Sequence, residues 1–166
     1  MKKYDEIHVY LESGCFPNSE DAFAVMVIVS GQGLLIRTAG GVYFHSSKDI
    51  IGLQGLDEGL ELAAERTSKK VIVYTDNDLL IKQMNGSHKV TGSDLISMYC
   101  EARKAEEEFE EVIYKNSIEG DDQWAYLAYK YRRQVTKDYP IKYFCGSSMR
   151  NEKTKNKKKD LEKMKS

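Results

Sequence analysis

Tyr74–Gly86, YTDNDLLIKQMNG, is the stretch whose reading decides the fold. It continues the apolar run KKVIVYTD, whose unbroken Val71-Ile72-Val73-Tyr74 has the character of a strand inside a sheet. Asp76 closes that strand, NDLLIKQM repeats at helical spacing, and Asn85-Gly86 stops the helix, because glycine tolerates the left-handed backbone of a helix C-terminus. The stretch therefore passes a carboxylate from a strand to a helix. Asp in that place often does no more than cap the helix. Chemistry would require other acids beside it.

Toward the N-terminus, EIHVYLE (residues 6–12) alternates Ile7, Val9 and Leu11 with His8, Tyr10 and Glu12, and SGCFPNS supplies a turn. AFAVMVIVS is β-branched and apolar, GQG punctuates, and LLIRTAGGVYFHSS holds one or two further strands, so an antiparallel meander with a buried middle strand is expected. At Ser46 the pattern changes. SSKD suits a capping box, with Ser46 accepting from the backbone and Asp49 reaching back, before IIGLQGLDEGLELAAERTS repeats at helical spacing. Gly52, Gly55, Gly59 and Ala63 share one face of that helix. Each helical glycine costs about 1 kcal/mol relative to Ala, so a face this consistently small predicts a very close neighbour.

Toward the C-terminus, GSDLISMYCEARKAEEEFEEV reads as a longer helix behind an Asp or Ser cap, VIYKNSI as a short strand and DDQWAYLAYKYRRQV as a last helix. Its Trp124, Leu127, Ala128 and Tyr131 fall at core spacing, with Tyr126, Lys130 and Arg133 outward. IKYFCGSSM after Pro140 fits no single element. The order β-β-β-α-β-α-α-β-α predicts an α/β domain over residues 1–145: a mixed five-stranded sheet, antiparallel in its first three strands and parallel beyond, flanked by helices. Residues 146–166 are expected to be a disordered basic tail.

The net charge of −1 conceals an asymmetry, since Arg150–Ser166 carries eight Lys/Arg against three acids on an otherwise acidic chain. Such an arm can meet phosphate backbone, although solvated Lys-rich termini are common. Cys15, Cys100 and Cys145 have no paired or metal-ligand spacing, which points to reduced thiols. No apolar run is long enough to span a membrane, and Asp5, Glu6 and His8 interrupt what would have to be a signal region, so a cytoplasmic protein is expected.

The strand ending in Thr75-Asp76-Asn77, the helix after it, and then Lys82, Gln83, Asn85, Gly86 and Lys89, resemble the ribonuclease H type 1 family, in its compact form without a basic protrusion. GLELA at Gly59–Ala63 matches the helix that carries the family's glutamate. The resemblance covers residues 5–135 or so and implies the mixed sheet already expected. It also implies cleavage of RNA in RNA/DNA hybrids by two Mg²⁺ or Mn²⁺ ions. Two cations about 4 Å apart demand clustered carboxylates, normally four acids from four segments.

Carried over residue by residue, the resemblance keeps only part of that set. The first acid falls on Glu12, where YLESG replaces an aspartate with a longer side chain; the second falls on Gly52; the third is Asp76; the fourth falls on Ala125, because WAYLA supplies Leu127 and Ala128 in phase. Metal ligation therefore rests on Glu12 and Asp76, with weak binding if any. Asp121 and Asp122 are possible substitutes, though acids in a helix first turn are favoured by the helix dipole alone. Asp49, three residues before Gly52, has its capping role as an alternative. The family's glycine-rich turn after the first strand retains only Gly14, with Phe16 and Pro17 inserted.

The resemblance places nucleic-acid backbone near Lys82, Gln83, Asn85 and Lys89; a solvated lysine and a plain Asn-Gly cap are the alternative reading. The acidic EARKAEEEFEE would repel nucleic acid and reads as a solvent face or a docking surface for a basic protein. The expectation is a ribonuclease H-like domain, inactive or strongly impaired, that binds nucleic acid (an RNA/DNA hybrid or duplex) or a protein partner and needs no cofactor. The competing expectation is a weak nuclease using Mg²⁺ or Mn²⁺ at a rearranged carboxylate site.

Overall fold

The structure, a computed structural model, describes residues 3–137 and Tyr139. Five strands, β1 (Glu6–Cys15), β2 (Ala22–Ser30), β3 (Leu35–Tyr43), β4 (Lys70–Thr75) and β5 (Glu111–Asn116), form one sheet in the order β3-β2-β1-β4-β5. β1 pairs antiparallel with β2 and β2 with β3, while β1 pairs parallel with β4 and β4 with β5. This is the mixed sheet expected from the sequence, and LLIRTAGGVYFHSS supplies one strand rather than two. The helices are α1 (Lys48–Ala64), α2 (Asp78–Met84), α3 (Ser93–Glu106) and α4 (Asp122–Lys137). The 145/146 domain boundary, Cys145 and the basic tail lie outside the described residues.

Strand alternation sends Ile7, Val9 and Leu11 of β1 to one side of the sheet, where they meet Leu53, Leu56 and Leu60 of α1 in the main core. Tyr10 goes to the other side, into a smaller cluster with Val27, Tyr74 and Ala128 of α4. α1 therefore covers one face of the sheet and α4 the other. The small face predicted for α1 is the face that touches the sheet. A Cβ added at Gly55 would stand 2.9 Å from Ala24 Cβ and 3.0 Å from Leu11 Cδ1, so α1 sits closer to β1 and β2 than any side chain there would allow.

Both caps predicted from the sequence need correction. Ser47, not Ser46, caps α1, accepting from the Ile50 amide at 3.2 Å, whereas Ser46 is buried and donates to Gln54 Oε1. Two adjacent serines left the frame ambiguous, and burial of the first settled it. α3 starts at Gly92, at φ +95°, with no side-chain cap on its N-terminus. α2 ends as expected, with Asn85 as C-cap and Gly86 at φ +78°.

Gly55→Ala should lower the stability of the domain by roughly 1–3 kcal/mol despite the better helix propensity of alanine, because Ala24 Cβ is fixed to a fully buried strand and cannot give way. Urea unfolding would show it as a reduced midpoint at unchanged slope; an unchanged midpoint would mean that α1 can retreat from the sheet.

Candidate functional site

β1 and β4 run parallel, with Leu11 in register with Thr75, so Glu12 and Asp76 emerge side by side at the same end of the sheet. In open α/β sheets this carboxyl end of parallel strands is where ligands are bound. A cleft of about 400 Å³ lies there, between the first turns of α1 and α2, lined by Ser13, Lys48, Asp49, Gly52, Asp76 and Gln83 among others.

Alternation splits the two neighbours on β1. Ser13 faces α1: its Oγ would be 3.9 Å from a Cβ on Gly52. Glu12 shares the face of Tyr10, under α4, and is in register with Val25 of β2. Its Oε2 is buried and accepts no hydrogen bond from the described residues. Desolvation raises the Glu12 pKa above the usual glutamate value, the positive charge of Arg132 on α4 opposes that rise, and the negative charge of Asp76 adds to it. The Arg132 guanidinium lies 5.1 Å from the centre of the Phe23 ring, whose Cα is in register with Gly14, two residues beyond Glu12. The structure thus brings Glu12, Asp76 and Arg132 into one electrostatic group. Arg132 was missed from the sequence, although its spacing of four from the buried Ala128 places it on the inner side of α4.

The positions without an acid have occupants. At Gly52, where the resemblance puts a glutamate, an added Cβ would come within 2.9 Å of Asn77 Nδ2 and 3.7 Å of Leu80 Cδ2. Asn77 is held there because its Oδ1 accepts from the Leu80 amide as the N-cap of α2, with its own amide donating to Thr75 Oγ1. Asp76 is thus not the cap; its neighbour is. Ala125 is half-buried and packs against the Tyr10–Tyr74 cluster, an apolar position.

Asp121 acts as the cap of α4. Its Oδ1 accepts from the Gln123 amide at 2.9 Å, and its own amide donates to the Tyr10 hydroxyl at 2.9 Å. Tyr10 and Tyr74 stack at 4.7 Å, so two strands hold the start of α4 through one aromatic pair. Asp122 is exposed in the first turn. Asp49 likewise lies in the first turn of α1 and at the rim of the cleft. Among the described residues, no group of three or more His, Cys, Asp or Glu is arranged to hold a metal ion.

The turn after β1 is closed by packing rather than left open. Phe16 is buried and stacks on Tyr139 at 3.8 Å, and the Tyr139 hydroxyl donates to Asp21 Oδ2 at 2.7 Å. Burial, together with that carboxylate partner, pushes the Tyr139 hydroxyl up to about 12.

Gln83 is buried and lines both this cleft and a second groove of about 680 Å³, formed with His88, Lys89, Ile96, Tyr99 and Cys100. Lys82, Asn85 and Lys89 are exposed around it. The turn that carries them is rigidly held. The Lys82 carbonyl accepts from the Ser87 and His88 amides, and Arg103 of α3 donates to the Met84 carbonyl at 2.6 Å while pairing with Glu106, which accepts from Tyr114.

A family model described as "Reverse transcriptase-like" matches residues 12–128. No curated protein matches. Among solved structures, the N-terminal RNase H domain of rv2228c from Mycobacterium tuberculosis is similar with a TM-score of 0.66 at 19% identity, over 75% of this chain and 94% of that one. RNase H1 from the halophilic archaeon Halobacterium salinarum gives 0.63 at 22%, over 75% and 98%. LC11-RNase H1, solved in complex with an RNA/DNA hybrid, gives 0.63 at 17%, over 75% and 91%. The mixed sheet and its helices match the ribonuclease H fold.

The charges around Glu12 predict opposite responses to two substitutions. Arg132→Gln should raise the Glu12 pKa further, and Asp76→Asn should lower it toward the ordinary glutamate value of 4.5. Carboxyl ¹³C shifts followed through a pH titration would read both; no change in either variant would mean that neither charge faces Glu12.

Proposed function

This chain belongs to the reverse transcriptase-like family of ribonuclease H-like domains, and from that premise we propose that it is a member with lost or strongly impaired nuclease chemistry that works by binding nucleic acid. The observation that carries this reading is at Gly52: the place of a required carboxylate is taken by the Asn77 amide, itself committed as a helix cap. An acid restored there would have to share its space with the Asn77 side-chain amide, whose Oδ1 caps α2.

The residues present do not fit a pair of divalent cations. Two Mg²⁺ ions need several hard oxygen donors in near-octahedral arrangement. Glu12 and Asp76 supply two carboxylates and Gly52 and Ala125 none; Asp121 spends one oxygen on the cap of α4, Asp78 accepts from Asn116, and although Asp49 and Asp78 line the cleft, no three acids among the described residues are arranged to hold a metal. The unpartnered Glu12 Oε2 is compatible with one weakly held cation, and Arg132 already brings positive charge to the same group.

Binding rests on the turn after α2. Lys89 lines the groove beside Gln83 and Lys82 is exposed on the helix that leads into it, and the hold of Arg103 on the Met84 carbonyl limits the ordering cost of meeting a phosphate backbone. That LC11-RNase H1 is known with an RNA/DNA hybrid supports a hybrid as the ligand to test first.

A labelled RNA/DNA hybrid, incubated with excess protein and Mg²⁺ or Mn²⁺, should remain uncut, and a Lys82→Ala/Lys89→Ala variant should bind it more weakly with a salt slope shallower by about 1–2. Cutting that disappears in Asp76→Asn would overturn the proposal in favour of a rearranged nuclease site.

A further inference from the structure

The sheet separates two helical faces of opposite charge. α1 carries Asp49, Asp57, Glu58 and Glu61 against Lys48 alone, and α3 carries Asp94, Glu101 and Glu106 against Arg103 and Lys104. Their crowding is physical: burial, and then the charges of Glu61, Glu101 and Glu58, raise the pKa of Asp57. Across the sheet, α4 carries Lys130, Arg132, Arg133 and Lys137 and, from Tyr126 to Lys137, no acid. A polyanion is disfavoured along the acidic stretch Asp49–Glu61 of α1 and drawn to α4.

The outer side of α4 also carries aromatic rings in solvent. Tyr126 is 60% exposed and Tyr129 is 42% exposed. The two rings lie 6.4 Å apart at 29°, Lys130 Nζ sits 5.6 Å from the centre of the Tyr126 ring, and the Arg133 guanidinium sits 6.0 Å from that of Tyr129. The helix does not need these rings. Exposed cation–π contacts contribute little, and Tyr is a weaker helix former than Gln or Lys. Two near-parallel rings with a cation beside each make the kind of surface on which unpaired bases stack while phosphates meet Lys and Arg. The chain beyond this helix continues the same charge, with eight Lys/Arg against three acids in Arg150–Ser166.

We propose that the outer face of α4, through Tyr126, Tyr129, Lys130 and Arg133, is a binding platform for single-stranded nucleic acid. It lies on a different element from the Lys82–Lys89 turn and does not depend on that turn binding a hybrid. Recognition is by base stacking and backbone charge, so it discriminates little between sequences.

The test uses the full chain and a fluorescein-labelled oligothymidylate of about 15 nucleotides, near the upper end of known single-strand site sizes. Tyr126→Ala/Tyr129→Ala should weaken binding about tenfold or more, and Tyr126→Phe/Tyr129→Phe, which keeps both rings, should stay within about twofold of the native chain. Lys130→Ala/Arg133→Ala should make the salt slope shallower by about 1.4. Lys82→Ala/Lys89→Ala should weaken oligothymidylate binding by less than Tyr126→Ala/Tyr129→Ala does, which separates this platform from the proposed hybrid site. Circular dichroism of each variant should match the native chain, because the exchanged side chains are exposed. Equal affinity of the native chain and the double-alanine variant would overturn the proposal. So would a concentration-dependent dimer that the same variant abolishes, since the rings would then be an interface between two copies.

Discussion

Helix α1 approaches β1 and β2 until its glycines meet strand side chains directly, with Leu11, Ala24 and Val9 standing where Cβ atoms would otherwise be. The rest of the structure depends on this contact. It lets Leu53, Leu56 and Leu60 fill the main core from one side, and it draws the start of α1 over the ends of β1 and β4. The cleft at the carboxyl end of the parallel strands exists because the helix is that close. The same closeness fixes what position 52 can hold. A side chain there must share its space with the Asn77 cap of α2.

On the other side of the sheet a second constraint operates. Glu12 leaves one carboxylate oxygen buried without a hydrogen bond, which costs free energy unless a charge compensates. Arg132 offsets part of that cost from α4, and its position over Phe23 ties it to the strand next to β1. A cation fixed in the fold thus meets the carboxylates of the site from a third element. The aromatic pair Tyr10–Tyr74 holds the beginning of the same helix through the Asp121 amide, so the orientation of α4 and the electrostatics of the site are set together.

Much of the fold was legible because its signals are local. Alternation in EIHVYLE, the continuous apolar run of β4, the Asn85-Gly86 stop and the small face of α1 each record how a short segment meets its surroundings. The caps were less legible, since Ser46 and Ser47 are chemically equal and only burial distinguishes them. The site was legible as positions rather than as an arrangement. Glu12 and Asp76 follow from strand order, but the Asn77 side chain beside Gly52 and the charge of Arg132 near Glu12 arise from contacts between segments far apart in sequence. The outward Tyr126, Lys130 and Arg133 were visible from helical spacing, whereas their pairing into ring and cation required the helix itself.

If the carboxylate set for two cations is lost while the scaffold around it is kept, titration of Mn²⁺ into the full chain, followed by electron paramagnetic resonance, should show at most one weakly held ion and no spin-coupled pair. Two ions bound together with an exchange-coupled spectrum, both lost in Asp76→Asn, would contradict it.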